Sequence, residues 1–502
     1  MERLAFGGGQ REVARAAGPD SAGPPSRPVS AEAASAGRAA PLPPRASARR
    51  AAPAEPRDWA FTWTLVFTAI LFLRPQDVFP PLEVLHLAEL SAIAALTALF
   101  VGRLARQQAV TRISPELIGV LAFGAVILGT APFSIWMGGS IGVFTDQYSK
   151  VILVYLLAVN VIDSPRRLER LTWLLVLAIG YLGFHAVIDY ARGVNMIARG
   201  TRVAGSVGGI MGNPNDMALN MTVFIPLAAF TALRPGPPLK RLVAAGCAMC
   251  MVGAIVASGS RGGFLGFAAM MLVLAVFAAR QRPAMVMAGA LILLCALPLA
   301  PSNYWRRISS ITDDSKDDYQ SSAARKRLFG ESFDAFVQNP MTGVGAGEFK
   351  DWNPEKRIQA WQESHNVWLQ VASELGIFGF AVFLYLVGQA FRAAFQTRRL
   401  LKKLRPSSRT GRGAATEAAG PLSDYDTALF DAHSAAMIAS LVGWFVCSFF
   451  ASVAYSWTFY YLLALAATPR EMLKPLVPSG RAARQAAVRR GGAVPAAVEV
   501  RA

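Results

Sequence analysis

The chain alternates long apolar runs with short polar connections, and this pattern predicts membrane-spanning helices. Each run is close to the ~20 residues that an α-helix needs to cross a bilayer. About twelve runs have this character, at 59–73, 84–102, 116–136, 148–163, 169–189, 214–233, 240–258, 262–279, 284–300, 372–394, 432–453 and 455–468. The sequence therefore predicts an all-α, polytopic transmembrane protein.

The distribution of basic residues predicts how the chain is oriented. Cytoplasmic loops of membrane proteins carry an excess of Lys and Arg. With the N-terminus in the cytoplasm, the connections after even-numbered spans are cytoplasmic, and these are the arginine-rich ones. The exception is an extracytoplasmic loop that holds Arg192, Arg199 and Arg202. We therefore expect a bacterial inner-membrane protein with both termini in the cytoplasm.

The same pattern divides the chain into five segments. Residues 1–57 are rich in Ala, Pro, Arg, Gly and Ser and are expected to be a disordered cytoplasmic tail, or an over-extended gene start. Residues 58–300 hold spans one to nine, and residues 372–468 hold the last three. Residues 301–371 form a large extracytoplasmic loop, whose aromatic residues predict short helices against the membrane face. Residues 469–502 form a basic cytoplasmic tail.

Composition agrees with a membrane protein and argues against a nucleic-acid-binding one. The chain is 53% hydrophobic and 16% charged, whereas a soluble domain carries about 25% charged residues. Its net charge is +18, but the basic residues lie in tails and loops, without the interleaved aromatics of a single-strand binder. We expect membrane lipids and no nucleic acid as partners. The cysteines lie in apolar runs and are expected to be small buried hydrophobes.

Two arginines with glycine-rich or asparagine-rich neighbours fall on the predicted extracytoplasmic side. Arg202 precedes Gly212-Asn213-Pro214-Asn215-Asp216, where Asn213 and Pro214 suit a helix start, either as a simple cap or as an anion site. Arg261 stands in Ser258-Gly259-Ser260-Arg261-Gly262-Gly263, between two spans. It either extends to lipid headgroups or binds a phosphate that approaches between the glycines.

Two further clusters lie in or just after the long loop. Arg325-Lys326-Arg327 is a basic group, and the glycine run from Asn339 to Gly347 is interpreted as a turn, since no strand–loop–helix pattern surrounds it. His365-Asn366 ends the loop, and Glu374 follows at the start of the next span. A histidine in this place is either a candidate general base or a structural residue. Glu374 either orients the site or favours the helix start electrostatically.

In this order the clusters resemble the O-antigen ligase family, which also contains O-antigen polymerases and some protein O-oligosaccharyltransferases. The resemblance covers roughly residues 200–395 and is carried by Arg202 with Gly212-Asn213-Pro214-Asn215, by Ser260-Arg261-Gly262-Gly263, by Arg325, by Asn339-Pro340…Gly343-Val344-Gly345-Ala346-Gly347 and by His365-Asn366…Glu374-Leu375-Gly376.

The resemblance implies transfer of a glycan from undecaprenyl diphosphate to an acceptor hydroxyl, outside the inner membrane and without a metal or other cofactor. The residues that it implicates in catalysis are His365, Arg261 and Arg202. Those that it implicates in substrate binding are Arg325, Asn213, Asn215, Asn366 and Glu374.

The acceptor is not identified by the sequence. Ligation to lipid A core is the first choice, in keeping with the resemblance, and polymerisation of repeat units and glycosylation of protein are the alternatives. The alternative from another functional class is a secondary transporter, which twelve spans would also fit. Transporters often show internal repeats and polar residues near the membrane midplane, whereas the polar clusters here share one face.

Overall fold

Most of the apolar runs form helices in the computed structural model, which describes residues 58–198, 200–279, 283, 302–309, 321–357, 361–404 and 421–477. The helices are α1 Trp59–Leu73, α2 Pro75–Val78, α3 Leu87–Ala105, α4 Pro115–Thr130, α5 Met137–Gly142, α6 Ser149–Val161, α7 Pro165–Arg192, α8 Pro214–Leu233, α9 Pro238–Ser258, α10 Arg261–Ala279, α11 Ser302–Ser309, α12 Ser321–Gln338, α13 Val367–Leu404, α14 Asp424–Cys447 and α15 Trp457–Leu473.

Short helical turns and one β-ribbon complete the described secondary structure. The 3₁₀ turns are Pro80–Leu85, Ala131–Phe133, Gly209–Met211, Phe349–Asp351, Ser448–Phe450 and Lys474–Leu476, and Val143–Tyr148 is a π-helical turn. The ribbon pairs β1 Met196–Ile197 with β2 Arg202–Val203 in antiparallel fashion. The helical class expected from the sequence is therefore confirmed.

Nine helical stretches in the described part of the chain are long and apolar enough to cross a membrane: Pro80–Ala105, Pro115–Phe133, Met137–Val161, Pro165–Arg192, Pro214–Leu233, Pro238–Ser258, Arg261–Ala279, Val367–Leu404 and Asp424–Phe450. The first and last predicted spans correspond to the shorter helices α1 and α15. Predicted span 284–300 and the tail at 1–57 lie outside the described residues. An integral membrane protein is thus supported, and the count of twelve stays a prediction.

Three of the long helices begin with the same local chemistry. The Ncap residues of α4, α7 and α8 are Ser114, Ser164 and Asn213, and each is followed by a proline. Each side-chain oxygen accepts a hydrogen bond from a backbone N–H in the first turn, at 3.2, 3.4 and 2.8 Å respectively. Proline fits the first helical position because the N–H that it lacks has no partner there. These helix starts are therefore encoded locally.

Long-range contacts join loops that the predicted alternation places on the same side. At the arginine-rich end, Arg234 contacts Glu169 and Arg398 pairs with Asp431 at 3.3 Å. At the other end, the Gly208 N–H donates to Asp77 at 2.6 Å. The described helices therefore run between two polar ends. Which end faces the cytoplasm stays a prediction from the basic residues.

The fold also contains a connection between the glycine run and a break in α13. Gly376, inside α13, has φ 63° and ψ −162° and interrupts the helix. Val344 and Gly345 donate backbone hydrogen bonds to the carbonyls of Ser373 and Glu374, both at 2.9 Å. A Cβ on Gly343, whose φ is +70°, would lie 2.2 Å from the Glu374 carbonyl carbon. The predicted turn is therefore fixed directly to the helix after His365.

Candidate functional site

Arg202 is held at its position on β2 by two neighbouring segments. Its Nε donates to the Ser258 carbonyl at 2.8 Å, and its Nη2 donates to Asn215 Oδ1, also at 2.8 Å. Ser260 Oγ donates to the same Asn215 oxygen at 2.9 Å. Asn213 caps α8 through its own oxygen. The structure therefore brings the first two predicted clusters together, with Asn215 as the shared acceptor.

Arg261 begins α10 in a close helix crossing and is 8% exposed. A Cβ on Gly262 would lie 2.4 Å from Phe450 Cβ, and one on Gly263 would lie 2.5 Å from Ala218 Cβ. Only glycine allows these backbones to approach so closely. The glycines after Arg261 thus bring it against the segment that joins α14 to α15.

Arg325 lies on α12 and reaches the same segment. It is half-buried, and its guanidinium carbon lies 5.7 Å from the centre of the Phe450 ring, within cation–π distance. Lys326 and Arg327 are exposed. Burial therefore favours Arg325 among the three basic residues of this cluster.

His365 has a strained backbone that a hydrogen bond holds in place. Its φ is 50°, a region that non-glycine residues rarely occupy. Its backbone N–H donates to Ser452 Oγ at 2.8 Å. Burial, together with the positive charges of Arg325 and Arg202, lowers the pKa of His365 from 6.5 to about 4. The imidazole is therefore neutral at pH 7 and able to accept a proton.

Asn366 and Glu374 make contacts within the protein. Asn366 Oδ1 accepts from the N–H groups of Trp368 and Leu369 at 2.9 and 3.1 Å, which caps α13. Glu374, 4% exposed, accepts from the Gly347 N–H at 2.9 Å and from the Tyr455 hydroxyl at 2.8 Å. The contacts of both side chains position the histidine segment and the glycine turn, so their proposed binding role stays a prediction.

The segment between α14 and α15 was missed by sequence reasoning. It supplies Phe450, which contacts Arg325 and packs on Gly262, and Ser452, which binds the His365 backbone. No charged residue or motif marks residues 448–456, so the sequence carries no signal for them. The charges of Arg325 on α12 and Arg202 on β2 nevertheless both act on His365, which precedes α13, and lower its pKa.

The comparison with known proteins agrees with this arrangement. No match to the chain was found among curated proteins. Residues 246–384 match the family model described as O-Antigen ligase. The matched segment includes Arg261, Arg325 and His365, whereas Arg202 and Asn215 precede it. The resemblance to the O-antigen ligase family that the ordered polar clusters indicated is therefore confirmed over residues 246–384.

Proposed function

We propose that the chain transfers a glycan from undecaprenyl diphosphate to an acceptor hydroxyl at the extracytoplasmic face of the inner membrane, with lipid A core as the first-choice acceptor. The observation that carries this proposal is the convergence of charge on His365, where Arg202 and Arg325 approach from separate elements. The O-antigen ligase domain supports the same class of reaction.

In the proposed reaction the arginines stabilise the leaving group. Arg202, Arg261 and Arg325 hold the diphosphate through charge-assisted hydrogen bonds, and guanidinium is well suited to phosphate oxygens. As the bond between the anomeric carbon and the diphosphate oxygen breaks, its electron pair stays on the diphosphate. Donors fixed in place before this charge develops lower the barrier most effectively.

His365 activates the acceptor in the same step. Its neutral imidazole takes the proton of the acceptor hydroxyl while that oxygen attacks the anomeric carbon from the opposite face, so a single displacement inverts the configuration. The donor's own charge helps: diphosphate offsets the positive charges that lower the pKa of His365. The histidine therefore becomes a stronger base when the donor is bound.

The test is a transfer assay with purified protein, undecaprenyl-diphosphate-linked glycan and lipid A core, with EDTA present. We expect product from the wild type and a loss of at least about 100-fold in His365→Ala, as general-base removal predicts. His185→Ala is the matched control, because His185 lies on α7 against the rings of Tyr181 and Phe184. Full activity of His365→Ala would refute the assigned role.

The products distinguish the alternatives. Longer lipid-linked chains, with nothing on lipid A core, would mean a polymerase. Glycan on an added protein acceptor alone would mean a protein O-oligosaccharyltransferase. If the wild type transfers nothing but carries lipid-linked glycan across a vesicle membrane, the chain is a transporter.

A further inference from the structure

A cleft of about 720 Å³ opens at the same polar end as His365. This volume lies within the usual range of ligand sites and leaves room for more than one sugar ring. It is lined mainly by residues of the segment from α1 to α3, of the π-helical turn before α6, of the start of α8, and of the connection between α14 and α15, together with Glu363. Most of the lining precedes residues 246–384, the segment that matches the family model.

Most of the charged residues that line the cleft are carboxylates, and we call it the acidic cleft. Its two fixed cations are already paired, Arg74 with Asp77 at 2.7 Å and Lys150 with Glu89 at 3.1 Å. The remaining carboxylates form no ion pair within the described part of the chain; they are those of Glu83, Asp146, Asp216 and Glu363. The exposed carboxylates of Glu83 and Asp146 are enough to make the lining net negative, opposite in sign to the arginine cluster.

The wall of the acidic cleft contains a buried polar group without a partner. Trp457 is 8% exposed, and its indole N–H has no hydrogen-bond partner in the described residues. The same holds for Ser456 Oγ and Gln76 Oε1, which also belong to lining residues. Buried polar atoms are nearly always satisfied. A polyhydroxylated ligand carries both donors and acceptors, the two kinds of group that these lining residues can use.

The acidic cleft adjoins His365 through Ser452. Ser452 lines the cleft, bonds to the Glu363 side chain and accepts the His365 backbone N–H. None of the three site arginines is among the described residues that line the cleft. His365 therefore adjoins the negative cleft through Ser452 and is also within reach of the positive charges of Arg202 and Arg325.

The carboxylates do not form a compact cation site. In the residues that the structure describes, no three His, Cys, Asp or Glu side chains lie close enough to hold one metal ion. Dispersed carboxylates suit the hydroxyl and amino groups of a sugar chain, because each can accept a separate charge-assisted hydrogen bond. They repel phosphate, which builds selectivity into the cleft.

We propose that the acidic cleft binds the acceptor, and that it selects glycans that are neutral or carry amino groups over glycans that carry phosphate. The acceptor role rests on the proposed function. If lipid A core is the acceptor, this selectivity means that its unphosphorylated outer sugars enter the cleft.

The test measures binding without donor or transfer. Wild-type protein in detergent is titrated with a glucosamine hexasaccharide, with maltohexaose and with phosphorylated mannopentaose, each followed by calorimetry. The variant Glu83→Gln/Asp146→Asn removes two exposed carboxylates of the cleft. Asp334→Asn, an exposed change on α12, is the matched control.

We expect the glucosamine hexasaccharide to bind best and phosphorylated mannopentaose at least about tenfold more weakly than maltohexaose, since like charges cost affinity. The double variant should weaken binding of the glucosamine hexasaccharide by about five- to tenfold, and Asp334→Asn should not. Binding of the phosphorylated glycan as tight as that of maltohexaose, binding of no glycan, or an unchanged double variant would each overturn the proposal.

A parallel transfer assay separates this inference from the proposed function. In the double variant, the KM for acceptor should rise and the KM for lipid-linked donor should stay unchanged. If transfer occurs but no glycan binds in the cleft, only the inference fails. If glycans bind as expected but no transfer occurs, the cleft stands as a glycan site and the proposed function fails.

Discussion

Removing the charge of Arg325 should raise the pKa of His365 by a bounded amount. Burial is the largest cause of the drop from 6.5 to about 4, Arg325 is the second and Arg202 the third. Arg325 thus accounts for at most half of the drop, or about 1.7 kcal/mol at 1.36 kcal/mol for each pH unit. In Arg325→Gln the pKa of His365 should therefore be no higher than about 5.

The sign of the effect on activity follows from the proposed role of His365 as a general base. A general base must be unprotonated, so the rate falls as the pH drops through its pKa. Because Arg325→Gln raises that pKa, its acid limb should lie at higher pH than the wild-type limb, by up to about one pH unit. The plateau should also fall, by about 10²- to 10³-fold, if the guanidinium stabilises the leaving group.

The assay is the pH dependence of kcat/KM for the donor, which reports the free enzyme. Arg327→Gln is the control, because Arg327 lies on the same helix but is exposed. It removes the same charge and should leave both the limb and the plateau unchanged. A limb in Arg325→Gln at the wild-type position or below it would refute the electrostatic coupling, whatever happens to the plateau.

Three further outcomes can be measured. Gly343→Ala should abolish transfer and lower the Tm, because its Cβ would lie 2.2 Å from the backbone of α13. Gly330→Ala is the control: its Cβ meets nothing within 4 Å, so transfer and Tm should stay as in the wild type. An unchanged Tm for Gly343→Ala would contradict the prediction. Glu116→Gln should destabilise the protein by about 1–3 kcal/mol, because it removes one of the two carboxylates that pair with the buried Arg470 guanidinium, Glu471 being the other; in denaturant unfolding, substituting both Glu116 and Arg470 by apolar residues should recover most of the loss. Asn215→Ala should lower kcat/KM for the donor about tenfold, because it removes the hydrogen-bond acceptor that Arg202 and Ser260 share. Unchanged donor kinetics would show that this contact does not position Arg202.

Features set by local chemistry were predictable from the sequence. The starts of α4, α7 and α8 follow from a polar cap and a proline, and the glycine run is a turn with φ above +60° at Gly343, Gly345 and Gly347. The predicted span 372–394 covers only part of α13, which extends from Val367 to Leu404. Arg, Lys and Leu are good helix formers, so the helix continues past the apolar run that marked the predicted span.

Features set by contacts across the chain were not predictable. The sequence suggested that Arg202, Arg325 and His365 share one face, but Ser452 and Phe450 come from a connection with no distinctive composition. The ribbon that carries Arg202 has two residues in each strand, too few for a period to be visible. Partners in a folded chain depend on packing, and a single sequence carries no record of which residues meet.

The pairing of Glu116 with Arg470 has a consequence for biogenesis. Glu116 lies in the first turn of α4, near the start of the membrane domain, and Arg470 lies in α15, the last of the described α-helices. They meet through two hydrogen bonds at 2.6 and 2.8 Å, with both side chains almost fully enclosed. Until the ribosome has delivered α15, the early carboxylate has no counter-charge. A nascent chain truncated before α15 should therefore be recognised by membrane quality control as unfinished, even with every preceding helix inserted.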